Sequence, residues 1–120
     1  MPPLGEVVHA TTKEQVRDLL HAVKDKILVV DYFAEWCGPC MKFAPSFSKL
    51  AGEFAETAVF VKVNVDQVPE AAEAQEVQSL PTFVLFYNGQ RQADCVGASY
   101  EKLRNVIEEV QRKTAVTKAG

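Results

Sequence analysis

The sequence predicts an α/β fold, a mixed sheet of about five strands flanked by about four helices. Three observations carry this. Short apolar runs alternate with amphipathic helical stretches as far as residue 77. The run Ile27–Phe33 is apolar throughout except for Asp31, the pattern of a central strand buried on both faces. Near the end the alternation gives way to two strand-like runs around Asn88-Gly89, the strongest short hairpin signal. Alternation implies parallel crossovers and the hairpin adds an antiparallel pair, so helices are expected on both faces.

Taken in order, Glu6–Ala10 reads as a short strand. Thr11 then caps a helix, with Glu14 completing a capping box, and Val16, Leu19, Leu20 and Val23 share its buried face. After Cys40 a helical stretch runs to about Ala55 with Phe43, Phe47, Leu50 and Phe54 on one side. Pro45 lies inside it and cannot bond the Met41 carbonyl, which predicts a kink. Ala58–Val65 is the next strand, and Pro69 opens a short helix to about Val77. Thr82–Tyr87 and Gln90–Gly97 form the hairpin. Ser99 caps a last helix with Leu103, Val106, Ile107 and Val110 inward and Arg112 and Lys113 at its C-terminal dipole. Residues 1–113 are expected to form one domain and 114–120 a frayed tail.

The chain has 120 residues, 48% hydrophobic and 24% charged, with a formal net charge of -3. That length supports a single core. No basic run is present, so nucleic acid is not an expected partner, and no apolar stretch is long enough for a bilayer. The first residues lack the basic and apolar blocks of a secretory signal.

Three cysteines, Cys37, Cys40 and Cys95, do not make a disulfide framework. Cys37 and Cys40 lie where a buried strand meets a helix. The unpaired N–H groups and partial positive charge of a helix start stabilise a thiolate, the nucleophilic form. Cys37, the outer residue, is expected to attack, and Cys40, inside the first turn, to resolve. A structural staple is one alternative, but so short a loop contributes only about 2 kcal/mol by chain entropy. Zinc is another. It needs four ligands, and Cys95, His9 and His21 supply no second close pair. The context favours redox chemistry. Asp31 interrupts the buried run, and burial without a partner would raise its pKa, as suits a base for Cys40. A solvent-reaching Asp31 is the competing reading. Cys95 shares strand parity with Ala93, which favours a small buried side chain, and His9 and His21 read as structural or surface residues.

The segment Val30-Asp31-Tyr32-Phe33-Ala34-Glu35-Trp36-Cys37-Gly38-Pro39-Cys40 resembles the active-site segment of thioredoxins. Asn64-Val65-Asp66-Gln67, Leu80-Pro81-Thr82-Phe83, Asn88-Gly89 and Val96-Gly97-Ala98 resemble further thioredoxin segments in the same order, from about Val7 to Val110. The resemblance implies the thioredoxin fold and a general protein thiol–disulfide oxidoreductase working through a mixed disulfide. It assigns the acid–base role to Asp31. It also places Lys62 near that carboxylate, although the alternation Val61-Lys62-Val63 by itself favours a solvent-facing lysine. It further implies a cis bond before Pro81, substrate pairing with the Leu80 backbone, and an apolar platform of Trp36, Gly38, Pro39, Leu80, Pro81, Val96 and Gly97 around Cys37. The chain shows no nucleotide fingerprint of its own, so no bound cofactor is expected, and no metal. Electrons would come from NADPH through a flavin-dependent thioredoxin reductase, and the partners would be that reductase and diverse disulfide-containing proteins. A cytoplasmic monomer is expected. Phe33 stands where many bacterial members carry tryptophan, and Met41 where most carry lysine. Two rivals remain. An oxidase or isomerase is disfavoured because Pro39 has neither N–H nor charge to hold the thiolate. A thioredoxin-fold binding subunit would use the same platform.

Overall fold

The computed structural model describes residues 4–114. Its elements are β1 (Val7–Ala10), α1 (Lys13–Ala22), β2 (Ile27–Phe33), α2 (Gly38–Glu53), β3 (Ala58–Asn64), α3 (Pro69–Ala74), β4 (Thr82–Tyr87), β5 (Gln90–Val96) and α4 (Tyr100–Thr114). The sheet order is β1-β3-β2-β4-β5. The β1–β3 and β3–β2 pairs are parallel, and the β2–β4 and β4–β5 pairs are antiparallel. This is the mixed five-stranded, four-helix arrangement expected from the sequence.

All seven residues of β2 are buried because successive side chains point to opposite faces and both faces are covered. Ile27 and Val29 pack under α2 and α4, against Phe47, Leu50, Leu103 and Ile107. Leu28, Val30 and Tyr32 pack on the other face with Val16 of α1 and Ala72 of α3. Phe47 lies 5.8 Å from Phe83, stacked, and 5.2 Å from Phe60, edge-on, so one α2 aromatic ties two strands together.

Several local boundaries differ from the sequence reading. The α1 cap is Thr12, not Thr11. Its hydroxyl accepts from the Gln15 N–H at 3.1 Å, while Gln15 Oε1 accepts from the Thr11 N–H at 2.6 Å. Thr11/Glu14 and Thr12/Gln15 are equivalent patterns in sequence; the pairing of β1 with β3 through Ala10 leaves two residues before the helix. Helix α2 starts at Gly38 and ends at Glu53, running through Pro45. Helix α3 stops at Ala74, because Glu76 turns left-handed (φ 56°) and the Val77 N–H closes on the Ala72 carbonyl at 3.1 Å. Thr114 belongs to α4, with its hydroxyl on the Val110 carbonyl; the rest of the expected tail lies outside the described residues.

The largest correction concerns Lys62. It is 8% exposed, not solvent-facing. Its strand lies between β1 and β2, so both faces are covered, a consequence of sheet order rather than of local alternation.

Candidate active site

The site forms where β2 leaves the sheet. After Phe33 the chain turns at the buried Ala34, whose carbonyl accepts from the Cys37 N–H at 3.2 Å. Cys37 is then the N-cap of α2. Its Sγ accepts from the Cys40 N–H at 3.3 Å, as a serine or threonine hydroxyl would at a helix start. Pro39 has no N–H to offer, so this donor is one of the few that the first turn can aim at the sulfur. Cys37 and Cys40 form a disulfide, with Cα atoms 5.3 Å apart. Cys37 is 7% exposed and Cys40 1%, the order expected of an attacking and a shielded sulfur. Phe33, Ala34, Val65 and Leu80 pack around the pair.

Asp31 lies two residues before Phe33 on the same face of β2, the face that carries α2. It is 1% exposed, and its Oδ1 has no hydrogen-bond partner among the described residues. Burial pushes its pKa up to about 7, against a smaller downward pull from Lys62. Lys62 stands directly across from it in the β2–β3 register. The ammonium does not close a salt bridge with Asp31. It sits 4.3 Å from the centroid of the Phe33 ring, a cation–π contact. Phe33, one of the two departures from the common pattern, therefore holds the lysine as well as packing on the cysteines.

Of the residues expected to form a platform, Leu80 packs against the cysteines, and Val96 and Gly97 adjoin its loop through the Thr82–Val96 register and the Gly97–Pro81 hydrogen bond. The Leu80–Pro81 bond is cis. The Pro81 carbonyl is taken by the Gly97 N–H at 2.9 Å, and the Thr82 hydroxyl donates to the Ser79 carbonyl at 2.6 Å. Leu80's own N–H and carbonyl have no hydrogen-bond partner among the described residues. Gly97 adopts φ 101°, a conformation that L side chains avoid. Trp36 and Val96 are 73% and 47% exposed. Gly38 and Pro39 are exposed, Leu80 and Gly97 half-buried and Pro81 buried. Met41, the second departure, is also exposed.

Sequence reasoning missed Asp66. Its Oδ2 accepts from the indole N–H of Trp36 at 2.9 Å, and its own N–H is held by Asn64 Oδ1 at 2.9 Å. The Val65 N–H donates to the Phe33 carbonyl at 2.9 Å, which docks this turn beside the end of β2. Thirty residues separate the indole from its acceptor, and no local pattern marks the pair. Cys95 is buried on β5 opposite Phe83, and His9 and His21 are exposed. Among the described residues no three His, Cys, Asp or Glu side chains gather where they would hold a metal ion.

A cysteine whose sulfur caps a helix start, joined to a more deeply buried one in the first turn beside a cis-proline loop, is a redox dithiol in its oxidised form. The family model described as Thioredoxin matches residues 6–109. The chain belongs to the thioredoxin family. Thioredoxin-3 of Dictyostelium discoideum is 38% identical over 105 residues, spanning 88% of this chain and 97% of its own. The solved Schistosoma mansoni thioredoxin superposes with a TM-score of 0.84 at 36% identity, covering 90% of this chain and 98% of its own. Spinach chloroplast thioredoxin f, in its short form, gives 0.86 at 28% identity, covering 92% and 98%. As a thioredoxin, the chain is a protein thiol–disulfide oxidoreductase whose redox pair is Cys37 and Cys40. Among the described residues no helix is long and apolar enough to cross a membrane.

Proposed function

We propose that the chain is a cytoplasmic, monomeric carrier of reducing equivalents, with the following division of labour at the site. In the reduced protein the Cys37 thiolate attacks one sulfur of a substrate disulfide. A Cys37–substrate bond forms and the other substrate sulfur leaves as a thiolate. Asp31 then takes the Cys40 proton, and Cys40 attacks the Cys37 sulfur. The Cys37–Cys40 disulfide forms, the second substrate thiol is released, and two electrons have passed to the substrate. Lys62 supports the Asp31 carboxylate electrostatically. The substrate lies extended along Leu80, whose free N–H and carbonyl suit strand addition, over Trp36, Gly38, Pro39, Pro81, Val96 and Gly97. An NADPH-dependent flavoprotein, a thioredoxin reductase, returns the disulfide to the dithiol.

The observation that carries this reading is the Cys37 sulfur at the N-cap of α2, accepting the Cys40 N–H while Cys40 itself is closed to solvent. The test is reduction of insulin disulfides by NADPH and a thioredoxin reductase, with each cysteine of the pair replaced in turn. Cys37→Ser abolishes turnover. Cys40→Ser stops after one step and accumulates the mixed disulfide. Full turnover by Cys37→Ser would overturn the assignment, and reduction with a chemical dithiol but not with the reductase would overturn the partner.

A further inference from the structure

Beyond Pro39, helix α2 has an outer face that the proposed mechanism does not use. Pro39, Lys42, Ser46 and Lys49 recur at three- and four-residue spacing and so line one side of the helix. Opposite this face lies the start of α4. Between them is an open cleft of about 500 Å³, lined by Pro39, Lys42, Ser46, Ala98 and Tyr100 and floored by Phe43. The cleft begins at Gly38, the neighbour of Cys37, so it is continuous with the redox site.

The far wall is braced. The Tyr100 hydroxyl donates to Glu53 Oε1, Arg104 Nε lies 3.4 Å from Glu53 Oε2, and the Lys49 ammonium stands 5.1 Å from the Tyr100 ring centroid. Tyr100 and Glu53 are thereby engaged with each other. Lys42 is exposed and has no carboxylate within 4 Å among the described residues. On α4 the Lys102 ammonium donates to the Val96 carbonyl at 3.2 Å. Beside Trp36 the exposed Asp66 accepts the indole N–H, and Glu35, next to Trp36 in the chain, is exposed. The first turn of α4 carries the exposed Glu101 as well as Lys102, so the cation that lines the cleft itself is Lys42.

We propose that the α2–α4 cleft is a specificity subsite that takes an acidic side chain flanking the substrate cysteine, its aliphatic stem against Pro39 and Ala98 and its carboxylate on Lys42. The proposal rests on the disulfide-reductase reading above. An acidic residue satisfies both features of the cleft: apolar walls near the cysteines and a free cation at the rim. A basic residue would meet Lys42 with like charge, and a purely apolar one would gain nothing from the ammonium.

The test uses the reduced protein and synthetic disulfide-linked peptides in which glutamate, glutamine or lysine is walked over the positions one to four residues from cysteine. Second-order reduction rates at low ionic strength are compared as the glutamate-to-glutamine ratio, which cancels any general change in thiol reactivity. At one position or two neighbouring ones that ratio is about two to five, the effect of a single exposed ion pair, and lysine there is slower than glutamine. Lys42→Gln brings the ratio to about one, and Lys42→Glu takes it below one. Lys24→Glu, at the opposite end of β2, keeps it. A ratio of one at every position in the unaltered protein overturns the proposal, as does a preference that survives Lys42→Gln or is lost in Lys24→Glu. Failure to reduce any peptide would instead overturn the reductase reading itself.

Discussion

At the scale of single residues, Asp31 and Cys95 occupy one row across the sheet, joined through Phe83, and are assigned opposite roles. Asp31 is a buried acid with an unpartnered oxygen and a pKa near neutrality, suited to taking a proton and returning it. Asp31→Asn is expected to leave mixed-disulfide formation largely intact and to slow substrate release about tenfold. That is less than a fully committed general base supplies, because water also takes the proton. Single-turnover kinetics separate the two steps, and slowing confined to the first would contradict the role. Cys95 is closed off, and burial raises its thiol pKa, which keeps it in the unreactive form. Cys95→Ser is expected to retain insulin-disulfide reduction while losing about 1–3 kcal/mol of stability, since a hydroxyl at that position needs a partner. Denaturant unfolding and the insulin assay on the same preparation check both parts.

At the scale of elements, the start of α2 acts as an electrostatic device. A thiolate at Cys37 strengthens the cap that the neutral sulfur already makes with the Cys40 N–H. In the reduced protein Cys37 is therefore expected to titrate below the free-cysteine value of about 8.5. Thiolate absorbance or alkylation rate against pH measures it, and an unshifted curve would remove the helix-terminus argument. The β4–β5 hairpin depends on its turn in the same local way. Asn88 (φ 50°) and Gly89 (φ 80°) both take the left-handed conformation that matches strand twist. Asn88 Oδ1 also accepts from the Asp25 N–H at 2.8 Å. Asn88→Ala loses this acceptor and the tolerance of asparagine for positive φ, with an expected loss of about 1–2 kcal/mol. The urea midpoint should fall with no change in slope.

At the scale of the whole molecule, Asp31 couples folding to pH. Its carboxyl is raised from 3.8 to about 7 in the folded, oxidised protein. Between those values the folded state holds a proton that the unfolded state has released, so stability falls as pH climbs through this window and levels off above about 7. The full span corresponds to a penalty on the order of 4 kcal/mol. In Asp31→Asn this penalty is absent. The variant's advantage over the parent should be smallest near pH 4, grow to about pH 7 and then stay constant. A denaturation series of the oxidised proteins measures it. A difference that is constant or shrinks with pH would mean that the carboxylate is solvated or paired.

Much of this was legible in the chain itself. Strand and helix periodicity, the Asn88-Gly89 turn and the Cys37–Cys40 spacing are local signals, because they arise from backbone geometry repeated over a few residues. They determined the order of elements, the mixed sheet and the position of the dithiol at a helix start. Resemblance added the expectations for Pro81, the platform and the nearness of Lys62 to Asp31, which composition and spacing did not contain. What the tertiary structure decided depends on which strands become neighbours. By alternation alone Lys62 reads as solvent-facing until β3 is placed between β1 and β2, which buries it opposite Asp31 and against Phe33. Asp66 reads as a turn residue until the end of β2 brings Trp36 to it, thirty positions away in sequence. The cleft between α2 and α4 exists only because both helices cover one face of the sheet. In each case the deciding contact joins distant segments, and its energy comes from burial and pairing that no local window contains.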